Sequence, residues 1–268
     1  MSGGVRCVRS IFRPGLFKHK VAVVTGGATG IGKAVTEELL HLGCSVTIAS
    51  RNEENLKGAA NELQSRLMDQ EGCPRILYTP CNIRSEEQVK NPNQQDSGEP
   101  WPPRLPGQQR GWPVFIKGRR HLVKGMECRG RDQPHWNLSC VQRRHSGAAR
   151  AGVENLTRSL AIEWAESGVR INAVAPGVIY SATAAKNYAA NVFDLVRTRL
   201  AAKRTGTPQE VSSAVCFLLS SGASYVSGTT LFVDAASRLH PGHLFEVPEH
   251  DRWPEHDSCI DNEAKELP

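Results

Sequence analysis

Thr25-Gly26-Gly27-Ala28-Thr29-Gly30-Ile31-Gly32 has the composition of a turn that lets backbone approach a ligand. Gly26 allows the chain to double back tightly. Gly30 and Gly32 remove side chains where a pyrophosphate must come close and where a helix must pack on a strand. A helix starting inside this turn offers free N–H groups and the positive end of its dipole to a phosphate. Thr25, Gly26, Gly30, Ile31 and Gly32 are therefore expected to hold a dinucleotide. A second chemical marker is Ser50-Arg51, with no carboxylate until Glu53. Sites for NAD place Asp or Glu here to accept the ribose hydroxyls. A guanidinium instead suits a 2′-phosphate, which it binds bidentately. Ser50 and Arg51 thus predict NADP(H). Asn82 and Ile83 follow a later apolar run, where folds of this kind contact adenine.

These residues need elements to position them. The run 21–24 is a short β-branched strand and leads straight into the glycine turn. Residues 33–42 have helical spacing, with Val35, Leu39 and Leu42 on one face and Gly43 as the stop. Residues 45–49 and 75–80 read as further strands. Beyond the middle of the chain, 151–166 reads as an amphipathic helix, with Val153, Leu156, Leu160 and Trp164 on one side. Residues 169–174 and 228–233 read as strands and 211–219 as a helix. The alternation predicts an α/β fold: a Rossmann-type doubly wound parallel sheet in a single domain. Asp234-Ala235-Ala236 follows the last strand, and a tight turn there would be strained without glycine.

At 268 residues, with 39% of them hydrophobic, the chain can bury a sizeable core. No apolar run reaches the roughly 18 residues of a membrane span. The eight cysteines lack paired metal spacing and read as reduced thiols. The net charge of +6 raises the question of nucleic acid. It is confined to residues 91–145, which hold ten Lys and Arg against four Asp and Glu, leaving the remainder balanced at 23 of each. That segment also carries seven of the 16 prolines and three of the five tryptophans, with no periodicity. It offers no folded aromatic platform for nucleic acid, and none is expected as a partner. Residues 1–20 carry five basic residues and no acid, so a mitochondrial presequence stands beside a plain lead-in as a reading.

The Thr-Gly-x-x-x-Gly-Ile-Gly spacing resembles the short-chain dehydrogenase/reductase family. Within it, several stretches are similar to the peroxisomal trans-2-enoyl-CoA reductases. These are the ten residues from Val24, the run His145-Ser-Gly-Ala-Ala-Arg-Ala-Gly-Val153, Ala175-Pro-Gly-Val-Ile-Tyr-Ser181, Glu210-Val-Ser-Ser213, Val215-Cys-Phe-Leu-Leu219 and Glu246-Val-Pro-Glu-His-Asp251. The likeness spans residues 14–91 and 145–254. It implies that Pro176, Gly177 and Val178 hold the nicotinamide and that Thr183 contacts its carboxamide. It implies NADPH-dependent reduction of a trans-2-enoyl-CoA to the saturated acyl-CoA in fatty-acid elongation, and an acyl-CoA as small-molecule partner. A homo-oligomer and a peroxisomal address also follow from it, although the chain ends Glu266-Leu267-Pro268 rather than in a Ser-Lys-Leu-like tripeptide. Mitochondrial or cytoplasmic residence are the alternatives. The alternative activities are a general NADP-dependent alcohol or carbonyl oxidoreductase and a catalytically inactive NADP(H)-binding protein.

The family moves a proton with a tyrosine and a lysine four residues later, aided by a serine and an asparagine. Two registers are available here. One gives Ser146 and Arg150, the other Glu154 and Arg158. Neither contains the tyrosine or the lysine, and arginine does not simply replace lysine. His145 is a lone histidine. The Asn-Asn-Gly stretch of the family is absent too, along with the strand before His145.

The genetic code offers a reason. Read from the second base of each codon, residues 105–116 permit FLVNNGGGQFLS and residues 121–138 permit ISSKGWNAVVETNLTGTF. Trp112 and Trp136 each force a glycine in that frame, and Met126 forces a tryptophan. Residues 91–139 thus read as family sequence translated out of frame, and such composition predicts disorder. The resulting layout is a lead-in at 1–20, a nucleotide-binding half at 21–90, an aberrant segment at 91–145, a second half at 146–240 and a tail at 241–268. The central strands are expected to be missing, and the chain to be a poor catalyst or none.

Overall fold

The computed structural model describes residues 10–67, 74–82, 85, 147–187 and 192–239, together with the strands 113–118 and 137–142. The first strand, β1 (Val21–Thr25), is buried along its whole length. Such a strand has helices over both faces, which is why it reads as an unbroken apolar run. Helix α1 (Gly30–His41) follows and buries Ile31, Val35 and Leu39 on one face. Gly43, at φ 90°, turns the chain into β2 (Ser45–Ser50).

Helix α2 (Glu53–Ser65) is absent from the sequence expectations, although its start was written there. Asn52 accepts a hydrogen bond from the Asn55 amide at 2.8 Å, and Glu53 and Glu54 occupy the first turn. Both features stabilise a helix N-terminus. Leu56, Ala59, Ala60 and Leu63 form its buried stripe. Strand β3 (Ile76–Pro80) comes next.

The expectation that the central strands are missing is corrected. Strands β4 (Pro113–Gly118) and β5 (Asn137–Gln142) lie within the segment read as aberrant. They are followed by α3 (Gly147–Glu163), β6 (Arg170–Pro176), α4 (Ala182–Asn187), α5 (Val192–Arg199), α6 (Pro208–Leu219) and β7 (Thr230–Val233). Among the described residues, seven parallel strands form one sheet in the order β3-β2-β1-β4-β5-β6-β7. Val23 pairs with Val114, Pro113 with Asn137 and Asn137 with Arg170. The physical reason for the correction is length. Val114-Phe-Ile116 and Leu138-Ser-Cys-Val141 are short runs of strand-forming residues, and the Pro- and Arg-rich composition averaged over residues 91–145 hid them. The rest of that segment lies outside the described residues, as do 1–9 and 240–268, and with them the reading made for the tail; the second half of the lead-in is described, and its Phe17 is buried in the core.

The doubly wound architecture is otherwise as the sequence implied. Strand order reverses between β1 and β4, and ligands bind beyond the carboxyl ends of strands at such a switch point. The main apolar core lies between α1, α2, α6 and one face of the sheet, with Val35, Leu39, Ile48, Leu56, Val174 and Val215 in it. A second cluster of Ala161, Val169 and Ile171, with Leu160 and Trp164 against it, joins α3 to β6.

Three polar side chains, the buried Glu38 and Asn172 and the half-buried Arg170, tie this frame together. Glu38 of α1 is 3% exposed and accepts from Ser212 and Ser213 of α6 and from Ser10 ahead of β1. Arg170 of β6 donates to the carbonyls of Leu218, Ser220 and Val226 at 2.7–3.2 Å, closing the end of α6. A cation at a helix C-terminus meets orphan carbonyls and the negative end of the dipole. Asn172 holds the next residues by donating to Val226 O and accepting from the Thr229 amide.

Candidate functional site

At the carboxyl edge of the sheet, Gly26 and Gly30 adopt φ of 68° and 55°, where only glycine is unstrained. The Gly26 amide donates to Ala49 O at 2.6 Å, which fastens the turn to the end of β2. Gly32 faces the turn so closely that a Cβ would overlap the Gly26 carbonyl and sit 2.8 Å from its carbon. Gly27 is equally constrained, since a Cβ would meet Ile48 Cγ2 at 2.5 Å and Thr36 Oγ1 at 2.8 Å. Thr36 donates its hydroxyl to Gly32 O at 3.0 Å and braces the turn from below. The α1 N-terminus has no side-chain cap and no acidic residue in its first turn. Its amides are left for an anion.

Ser50 and Cys81 are joined by a Cys81 N to Ser50 O hydrogen bond of 2.8 Å. This bond sets Asn82 beside the end of β2. Arg51 is exposed and makes no ion pair among the described residues. The structure thus brings Thr25, Gly26, Gly30, Ile31, Gly32, Ser50, Arg51 and Asn82 to one edge. Ile83 lies outside the described residues. These groups fit NADP(H): an uncapped helix end for the pyrophosphate, a cradle that Cβ atoms would fill, and an exposed guanidinium where a 2′-phosphate would sit.

The other half of the site lies beyond β6 on the same edge. Gly177 donates to Val233 O at 3.0 Å, and a Cβ there would fall 2.9 Å from Asp234 Cα. Pro176 pairs with Val233, and Val178 accepts from Gly206 N at 2.9 Å. Tyr180 N donates to Gly206 O at 2.9 Å, and Ile179 bridges to Gly206. Thr183 is half-buried in the first turn of α4, a helix that approaches α1. Sequence reasoning missed Asp234 and Gly206 as supports of this loop. A local signal existed for the second. Thr207 and Glu210 form a capping box at the start of α6, and that Thr-x-x-Glu spacing is readable in the sequence. Arg204 clasps the same Glu210 with two hydrogen bonds of 2.6 and 3.1 Å. It and the Thr207 amide hold the Glu210 carboxyl down at about 2.

The proton-transfer positions do not assemble. Glu154 and Arg158 sit one turn apart on α3 and pair with each other at 3.9 Å, with the Arg158 side chain 65% exposed. That is a solvated helix pair. Arg150 lies on the first turn of α3, and Ser146 is outside the described residues along with His145. The sequence sharpens the point. Residues four positions after Tyr78, Tyr180, Tyr188 and Tyr225 are Asn82, Ala184, Val192 and Thr229, so no tyrosine has a lysine at that spacing.

Cys44, Cys81 and Cys216 are buried free thiols, and burial pushes all three up, away from thiolate chemistry. Among the described residues no His, Cys, Asp and Glu cluster could hold a metal, and no helix is long and apolar enough to cross a membrane.

Residues 20–95 match the family described as short chain dehydrogenase, and residues 138–235 match the one described as Enoyl-(Acyl carrier protein) reductase. The chain is 30% identical over 254 residues to a probable 2,4-dienoyl-CoA reductase from Bacillus subtilis, covering 84% of itself and 98% of that protein. It is 29% identical over 289 residues to a probable 2,4-dienoyl-CoA reductase 3 from Caenorhabditis elegans, covering 95% and 93%. A citronellol catabolism dehydrogenase from Pseudomonas aeruginosa superposes with a TM-score of 0.61 at 30% identity, covering 85% and 98%. The chain belongs to the short-chain dehydrogenase/reductase family of NAD(P)H-using oxidoreductases.

Proposed function

We propose that this protein binds NADPH and serves the reduction of a conjugated enoyl thioester of coenzyme A, with trans-2-enoyl-CoA as the substrate class. The observation that carries the cofactor reading is the acid-free end of β2, where the exposed Arg51, without an ion pair among the described residues, stands beside the Gly26–Gly32 cradle. Bound NADPH supplies a hydride for the β-carbon of the enoyl group, and a proton must reach the α-carbon. The chain's own residues bind and orient. Amides of the Gly30–Gly32 turn take the pyrophosphate, Arg51 takes the 2′-phosphate, and the loop from Pro176 to Thr183 holds the nicotinamide face. The 2,4-dienoyl-CoA reductases among the relatives favour a second reading, in which the thioester carries an additional conjugated double bond. Both readings use the same loop. The resemblance to peroxisomal enzymes supports a peroxisomal place of action.

Proton delivery is the weak step, because no Tyr-x-x-x-Lys pair exists in the chain. Water or a residue of lower acidity must then serve, so turnover is expected to be slow even where cofactor binds. The test is a fluorescence titration of the purified 268-residue protein with NADPH and NADH. It is followed by NADPH consumption with enoyl-CoA, dienoyl-CoA, ketone and sugar substrates. Preferential NADPH binding with slow, thioester-dependent consumption is the expected result. Failure to bind NADPH would overturn the cofactor reading. Activity confined to carbonyl compounds would make the protein a general NADP-dependent alcohol or carbonyl oxidoreductase.

A further inference from the structure

Helix α5 and the turn after it form a strap that leaves the nicotinamide loop and returns to it. Phe193, in the first turn of α5, meets the Tyr180 ring edge-on at 5.0 Å between centroids and 77° between planes. Val196 and Leu200 are each 2% exposed and seat the strap on the protein. The chain then comes back through Arg204 to Gly206, which pairs with Ile179 and Tyr180. On the outside of this strap, residues 195–204 carry Arg197, Arg199, Lys203 and Arg204 and no acidic residue. Arg204 is spent on Glu210. Arg197 has only a loose exposed contact with Asp194 at 3.8 Å. Lys203 gives one hydrogen bond to Thr198 O at 2.7 Å and has no carboxylate partner among the described residues. An ammonium has three donors, so two remain for a ligand.

We propose that this basic strap is the subsite for the phosphate end of coenzyme A, with Arg197 and Lys203 as its contacts. The inference rests on the acyl-CoA reading above and names how that substrate is recognised. Its acyl end lies by Tyr180 and the nicotinamide loop. The pantetheine arm, longer than the about 12 Å of an eight-residue helix, then runs along α5 to the basic turn. The strap is separate from the cofactor's own phosphate groups. Strands β2 and β6 are four steps apart in the sheet, roughly 19 Å at the usual interstrand spacing. Arg51 therefore cannot serve both ligands. A tri-phosphorylated ligand at an exposed patch gains from charge-assisted hydrogen bonds, which Arg197 and Lys203 can supply because Asp194 holds Arg197 only at 3.8 Å and Glu210 is taken by Arg204.

The test measures binding of crotonyl-CoA and of the crotonyl thioester of N-acetylcysteamine, which lacks the phosphates, to the full chain with NADP bound. For Arg197→Glu with Lys203→Glu, crotonyl-CoA affinity should fall about 10- to 100-fold, in line with the loss of charged hydrogen bonds. Affinities for the short thioester and for NADPH should be unchanged. The neutral pair Arg197→Gln with Lys203→Gln should show the same ranking with a smaller loss, which guards against misfolding of the charge-reversed form. Adenosine 3′,5′-bisphosphate should compete with crotonyl-CoA, and inorganic phosphate at equal concentration should not. Unchanged crotonyl-CoA affinity in the variants, equal losses for both thioesters, or displacement by inorganic phosphate alone would each overturn the subsite. If the parent protein binds both thioesters equally well, the subsite fails and the acyl reading stands. If it binds NADPH and neither thioester, the acyl reading itself fails.

Discussion

Arg51 is the residue on which cofactor choice turns. It is exposed, free of an ion pair among the described residues, and placed next to a cradle defined by Gly26, Gly30 and Gly32. A guanidinium adds affinity only for a ligand carrying the 2′-phosphate. Arg51→Asp is therefore expected to weaken NADPH binding by about 10- to 100-fold, the scale of a lost charge-assisted hydrogen bond with repulsion added. NADH binding should hardly change. Parallel fluorescence titrations check this, and equal losses for both cofactors would remove Arg51 from the site. Glu154 and Arg158 stand at the opposite extreme. Both were candidates for proton transfer, and they form a helix-surface pair.

At the scale of elements, the turn after β7 on the carboxyl edge holds two of the four left-handed non-glycine residues among those described. Ala235 and Ala236 adopt φ of 47° and 63° in the turn after β7, the strain read from Asp234-Ala-Ala in the sequence. Asp234 offsets part of this cost by accepting from the Ala236 and Arg238 amides at 3.2 and 3.1 Å. Left-handed backbone costs a non-glycine residue roughly 1–2 kcal/mol, against about 0.5–1 kcal/mol of extra unfolded-state entropy for glycine. Ala235→Gly with Ala236→Gly should thus stabilise the protein by about 1 kcal/mol in urea denaturation. A lower midpoint would show that the turn is not strained.

The α6 capping box has a different lever. Glu210 titrates at about 2 in the folded chain against 4.5 when free. A carboxyl depressed by folding contributes stability that is full above pH 4.5 and is lost as pH falls toward 2. Glu210→Gln should remove this contribution, lowering stability modestly above pH 4.5, flattening the acid limb and leaving stability near pH 2 unmoved; the loss is small because solvent screens the largely exposed pair. An unchanged acid limb in the variant would contradict the assignment.

For the whole molecule, Glu38 is the long-range tie. It joins α1 to Ser212 and Ser213 of α6, and to Ser10 before β1. Glu38→Ala removes the shared acceptor of the buried Ser212 and the half-buried Ser10 and Ser213 and opens a cavity, so a loss of about 2–4 kcal/mol is expected. Chemical denaturation measures it, and a change under 1 kcal/mol would mean that the three serines find other partners. The same scale frames catalysis. The sheet is continuous from β3 to β7, so missing central strands are no longer a reason for inactivity. What remains is the absence of a Tyr-x-x-x-Lys pair from the whole sequence.

Local chemistry made several features of this protein legible from its sequence. The glycine turn, the burial of β1, the stop at Gly43, the acid-free end of β2 and the strain at Ala235-Ala236 each depend on residues within a few positions of one another. Helix α2 and the capping box of α6 were equally local and equally readable, through Asn52-Glu53-Glu54 and Thr207-x-x-Glu210. Tertiary structure alone decided the rest. Strands β4 and β5 are marginal by composition, and they earn their place through backbone pairing to β1 and β6, partners far away in sequence. No sequence period records that Asp234 backs Gly177, that Gly206 pins Tyr180, or that Glu38 meets Ser212 across 174 positions. Such contacts exist only once a long loop has closed and its entropic cost has been met by the packing around it, and that sum is a property of the folded whole.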